Sequence, residues 1–175
     1  MTGPENNHLF PAALCSAAAE MIDLLRSRRA TLATAESCTG GLLSALITSV
    51  PGSSDVFGYG FVTYSNTAKS EMLGVTPRLL EQFGAVSPEA AAAMAEGARL
   101  RAQSTIAISI TGIAGPGGGS DLKPVGLVHL GCAVAHRPVE THVLRLGDIG
   151  RGAIRLKSIE FAIGRIIAAG HDLPA

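Results

Sequence analysis

From residue 10 to residue 169, stretches of strand character alternate with stretches of helical periodicity, and few folds satisfy that alternation. Residues 10–28 place Leu14, Met21, Leu24 and Leu25 near one helical face. Thr31 to Ala35 is a short β-prone run, and residues 39–49 predict a second helix that ends at Pro51–Gly52. Phe57 to Ser65 predicts a strand interrupted by glycines, and Asn66 is placed to cap a short helix through Met72, stopped at Gly74. Thr76–Pro77 and Ser87–Pro88 each set a capping hydroxyl ahead of a proline at the first helical position, and residues 88–102 follow as an alanine-rich helix. Thr105 to Ile113 predicts a buried strand that runs into a loop from Gly115 to Lys123. Val125–Val134 and Val139–Leu146 predict a hairpin around Arg137–Pro138, and Arg151 to Ala169 predicts a closing helix. Such an order implies one α/β domain over residues 1–175, a three-layer α/β/α sandwich with a mixed β-sheet.

Charge narrows the function classes. Lys+Arg and Asp+Glu are 14 each, so the net charge is zero, which argues against a nucleic-acid partner held by bulk positive charge. The hydrophobic fraction of 47% excludes disorder as the main state. Cys15, Cys38 and Cys132 are far apart, and the five histidines stand singly, so neither a disulfide framework nor a structural metal is expected. The first ten residues have no basic flank and no apolar run, and no apolar stretch reaches the length of a membrane span. The expectation is a cytoplasmic chain without signal peptide, membrane partner, metal or cofactor.

Four constellations could carry chemistry. Ala35-Glu36-Ser37-Cys38-Thr39-Gly40-Gly41 lies between a strand and a helix, where hydroxyls and main-chain N–H groups suit an anion or oxyanion, or where Ser37 simply caps a helix. In Gly60 to Lys69, Lys69 falls at the third position of the helix assigned to Asn66. A cation there opposes the helix dipole, which lowers its pKa toward general-base use, and Tyr64 is placed to donate into the same site. Thr111 and Gly112, followed by Gly115 to Gly119, resemble a phosphate-cradling strand-to-loop junction, although neither a Walker loop nor a dinucleotide fingerprint is present. Arg151 opens the last helix, a position that favours anions, and its guanidinium suits a phosphate. Pro51-Gly52-Ser53-Ser54-Asp55 reads as a turn. Cys38 has no base beside it in sequence, and no Ser-His-Asp pattern is present.

Taken in order, AESCTGG, PGSSDVF, GFVTYSNTAK with LGV, FGAVSPE, SITGIAGPGGGSDLKPVG and GDIGRG resemble the CinA C-terminal domain family, over about residues 31–167 and after one N-terminal helix. The family includes stand-alone nicotinamide-nucleotide amidases. Its larger members carry an additional N-terminal domain, which this sequence is expected to lack. The resemblance implies hydrolysis of nicotinamide mononucleotide to nicotinic acid mononucleotide and ammonia by a Ser/Lys mechanism. It places the reactive serine at Ser54 and the lysine at Lys69, with Tyr64 assisting, while Ser37, Thr111 and Arg151 line the site. Thr39, Gly40, Gly41, Gly112 and Gly115 join them as substrate-binding candidates.

Strand geometry favours a different serine. If residues 57–65 form one extended strand, Ser54 and Lys69 stand about 25 Å apart. Ser37, at the end of a strand as Lys69 is, remains the rival nucleophile. A non-catalytic nucleotide-binding protein and a hydrolase of a related amide stay open beside the amidase. A homodimer or higher homo-oligomer is expected from the low charged fraction, the alanine-rich face at 88–100 and a site that looks hard to assemble within one chain.

Overall fold

A computed structural model describes residues 9–174. Its first helix, α1 (Ala12–Ser27), buries Leu14, Ala18, Met21, Ile22 and Leu25, which recur at three- and four-residue intervals. Five strands follow among the remaining helices: β1 (Leu32–Glu36), β2 (Phe57–Val62), β3 (Ile106–Gly112), β4 (Leu127–Val134) and β5 (Glu140–Arg145). They form one mixed sheet in the order β2-β1-β3-β4-β5. β1 pairs in parallel with both β2 and β3, whereas β4 pairs antiparallel with β3 and β5.

Each face of the sheet has its own helical layer. Leu32, Ile106, Ile108, Ile110, Val128 and Leu130 pack with α1, α2 (Leu42–Thr48) and α6 (Arg151–His171). Ala33, Ala35 and Ala107 pack on the other side with α3 (Asn66–Leu73), α4 (Pro77–Phe83) and α5 (Pro88–Ala102). The small residues of that second face let α5 come very close. Ser109 Oγ donates to the Ala91 carbonyl at 2.6 Å, and a Cβ at Gly131 would collide with that same carbonyl.

The sandwich and its mixed sheet match the architecture expected from the sequence, and the details differ in instructive ways. β2 ends at Val62 rather than Ser65, and α2 begins at Leu42 rather than residue 39 because Gly41 turns the chain at φ +91. Ser65, not Asn66, caps α3, accepting from the Ala68 N–H at 3.0 Å. The alanine face of α5 that suggested an oligomer is occupied internally, since Ala90, Ala91, Ala95 and Ala98 are buried within this chain. Among the described residues no helix is long and apolar enough to cross a membrane, and no group of three or more His, Cys, Asp or Glu side chains comes together as a metal site.

Candidate active site

β1, β2 and β3 run parallel, so their carboxyl ends lie at one edge of the sheet, where open α/β folds place their ligands. Ser37 is the first residue beyond β1, and its N–H extends the ladder by donating to the Ile110 carbonyl of β3 at 2.9 Å. Lys69 lies in the first turns of α3, just after β2, and is only 1% exposed. Its Nζ donates to Ser37 Oγ at 3.1 Å, to the Thr63 carbonyl at 2.9 Å and to the Tyr64 carbonyl at 3.4 Å. Burial pulls the Lys69 pKa below its ordinary value, and the nearby Cys38 thiol opposes that shift only in part. A buried amine held against a serine hydroxyl, with no carboxylate bonded to it among the described residues, is equipped to accept that hydroxyl's proton.

Beside this pair opens a cleft of about 270 Å³, lined by Ser37, Cys38, Tyr64, Lys69, Ala85, Val86, Thr111, Gly112, Ile113, Ala114, Gly115, Gly117, Gly118 and Arg151. Arg151 stands at its rim, with Nη1 donating to the Gly115 carbonyl at 2.9 Å and Nη2 to the Tyr64 hydroxyl at 3.4 Å. Two larger hollows, between α1 and α6 and between α3 and α4, are lined by neither Ser37 nor Lys69.

The structure brings Ser37, Tyr64, Lys69, Thr111, Gly112, Gly115 and Arg151 around one cleft and leaves Ser54 out of it. Ser54 is exposed in a short 3-10 turn, Ser53–Asp55, ahead of β2. The strand then carries the chain to the opposite edge, about 20 Å for its six residues. The Ser54 turn belongs instead to α1: Arg26 Nε donates to Asp55 at 3.0 Å and Arg26 Nη2 to the Gly52 carbonyl at 3.2 Å. That distance is why the structure does not join Ser54 to Lys69.

Other candidates take different places from those expected. The Tyr64 phenol is 62% exposed and bonds to Arg151, while it is main-chain carbonyls that hold the lysine. Thr111 donates its hydroxyl to the Ala85 carbonyl at 2.7 Å. Thr39, Gly40 and Gly41 are set back from the cleft. The Gly40 N–H is taken by the Ser37 carbonyl and the Gly41 N–H by the Glu36 carboxylate. Burial raises the Cys38 thiol to about 11, which keeps it protonated at neutral pH.

Two residues that sequence reasoning did not single out complete the site. Glu36 is fully buried beneath the Ser37 turn. Arg155 donates from Nη2 to the Thr39 carbonyl at 2.6 Å. The i, i+4 spacing of Arg151 and Arg155 on a predicted helix is the one signal that could have paired them.

Comparison with known proteins shows the family and the fold. The pattern of the family described as the CinA C-terminal domain matches residues 15–169. A CinA-like protein of Parasynechococcus marenigrum is 47% identical over 160 residues, covering 91% of this chain and 38% of the relative. A competence-damage inducible protein of Caldanaerobacter subterraneus subsp. tengcongensis is 53% identical over 147 residues, covering 83% of this chain and 35% of the relative. The chain thus spans about a third of the length of these curated relatives. Among solved structures, the competence/damage inducible protein CihA from Agrobacterium tumefaciens superposes with a TM-score of 0.89 at 47% identity, covering 91% of this chain and 96% of that one. A competence or damage-inducible protein from Enterobacter asburiae superposes with a TM-score of 0.85 at 32% identity, covering 90% and 98%.

Proposed function

This chain belongs to the CinA C-terminal domain family, and on that premise we propose that it is an amidohydrolase that converts nicotinamide mononucleotide to nicotinic acid mononucleotide and ammonia. One observation carries the reading: the contact of 3.1 Å between Lys69 Nζ and Ser37 Oγ, in a buried setting that favours a neutral amine. Neutral Lys69 takes the Ser37 proton as Oγ attacks the amide carbonyl carbon. The tetrahedral adduct collapses, the C–N bond breaks, and Lys69 returns the proton to the departing ammonia. Water, deprotonated by the same amine, then cleaves the acyl-enzyme and frees the carboxylate and Ser37. Arg151 and the glycine loop at 115–118 hold the 5′-phosphate at the rim, where a guanidinium forks onto phosphate oxygens.

A protein that only bound nucleotide would gain nothing from burying a lysine against a serine. Ammonia release across a panel of nucleotide amides tests the reading. The mononucleotide is expected to be the best substrate, and Ser37→Ala should abolish its turnover. Undiminished turnover in Ser37→Ala refutes the mechanism. Absence of ammonia release from every amide refutes the activity.

A further inference from the structure

Glu36 is a carboxylate with no exposure to solvent, and it has no arginine or lysine within bonding distance among the described residues. A charge buried in this way is costly unless hydrogen bonds surround it. Here they come from the chain just beyond it. The N–H groups of Gly41 and Leu43 donate to Oε2 at 3.1 Å each, and the N–H and hydroxyl of Ser44 donate to Oε1 at 2.8 and 2.7 Å. Ser44 Oγ also meets Thr34 Oγ1 at 2.8 Å, which fastens the cluster to the middle of β1.

The consequence falls on Ser37, which follows Glu36 directly. Between Ser37 and Ser44 further amides are also spoken for: Ser37 N–H by Ile110, Gly40 N–H by Ser37, and Leu42 N–H by Thr39. The Thr39 N–H has no protein acceptor among the described residues, and the Cys38 N–H lies against its own Sγ. The turn is held on its other side by Arg155, through the Thr39 carbonyl.

We propose that Glu36 is the positioning residue of this site: by binding the amides of Gly41, Leu43 and Ser44 it fixes the turn so that Ser37 Oγ faces Lys69. The inference rests on the Ser37–Lys69 amidase reading. Glu36 never touches substrate and acts through the turn. The alignment of Ser37 Oγ with Lys69 matters for the chemical step rather than for substrate binding, so loosening it lowers kcat more than it raises KM.

The test compares wild type, Glu36→Gln and Ser44→Ala, each checked for folding by its melting transition. One readout is the rate at which a fluorophosphonate labels Ser37, followed by intact mass. In that reaction Ser37 Oγ bonds to phosphorus, fluoride leaves and Lys69 takes the proton, so the rate does not depend on knowing the natural substrate. The other readout is the division of the loss between kcat and KM in ammonia release. Glu36→Gln should label about 100-fold more slowly, the cost of a nucleophile displaced by about 1 Å, with KM within about threefold of wild type. Ser44→Ala removes one bond of the four and should slow labelling about 3- to 10-fold. Wild-type labelling by folded Glu36→Gln, or a loss confined to KM, overturns the inference while leaving the amidase reading standing. If Glu36→Gln does not fold, wild-type labelling by Ser44→Ala overturns it. If wild-type protein neither labels at Ser37 nor releases ammonia, the amidase reading itself fails and the inference falls with it.

Discussion

Replacing Lys69 with methionine removes the amine while keeping a side chain of similar length in the same buried space. Three hydrogen bonds are lost, to Ser37 Oγ and to the Thr63 and Tyr64 carbonyls. Leaving the Thr63 carbonyl without its partner costs about 1–3 kcal/mol. Against that stands the relief of no longer holding a lysine where its charged form is disfavoured. Burial lowers the folded-state pKa of Lys69 below the ordinary 10.5, so between those two values the unfolded chain binds a proton that the native protein has released. Wild-type stability therefore rises with pH across that window, by up to about 1.4 kcal/mol per pH unit, and the methionine variant lacks this gain. Below the folded-state pKa both states of the wild type are protonated and the difference is flat. Urea unfolding of both proteins at pH 7, 8, 9 and 10 measures it, because groups common to the two largely cancel. The stability of wild type minus that of Lys69→Met should climb with pH over this range. Ammonia release by the variant should fall about 100- to 10,000-fold. A stability difference that does not change from pH 7 to 10 would show that Lys69 stays charged, and the general-base argument would be refuted.

Ser54→Ala should retain activity within about threefold of wild type, since Ser54 is exposed beyond the far end of β2, whereas Ser37→Ala should be inactive; steady-state ammonia assays of both decide between the two serines. Arg151→Ala should raise KM for the mononucleotide about 10- to 150-fold with little change in kcat, and should hardly alter turnover of nicotinamide riboside, which has no phosphate to hold. Equal losses on both substrates would rule out the phosphate role. In Gly97→Ala the new Cβ would run into the Leu73 carbonyl at the end of α3, so the melting temperature should drop by about 2–12 °C, from a cost of about 1–3 kcal/mol. An unchanged melting temperature would show that α5 and α3 separate freely.

Local chemistry is strong wherever the sequence alone specified structure. Thr76 and Ser87 stand before prolines, and both hydroxyls do cap the helices that follow, accepting from the Leu79 and Ala90 N–H groups. The spacing of Leu14, Met21 and Leu25 determined the buried face of α1, and the apolar run near Ile106 to Ile110 marked a central strand. Adjacent residues weaken such inference: Ser65 and Asn66 are both good caps, and only the backbone conformation, extended at Ser65 with ψ 162, decided which one begins α3. The site lay further beyond the sequence. Ser37 and Lys69 are 32 residues apart, and Ser54 is nearer to Lys69 along the chain. The parallel pairing of β1 with β2 reverses that order in space, because it brings the residues after each strand to one edge and leaves those before β2 at the other. Glu36 and Arg155 were not legible for a related reason. A carboxylate beside a serine and an arginine on a helix are ordinary in sequence, and their roles arise only when α2 and α6 close on the same turn. Periodicity and capping depend on neighbours in the chain, so the sequence determined the elements; proximity across a sheet depends on strand order and direction, so the tertiary structure alone decided which serine meets the lysine.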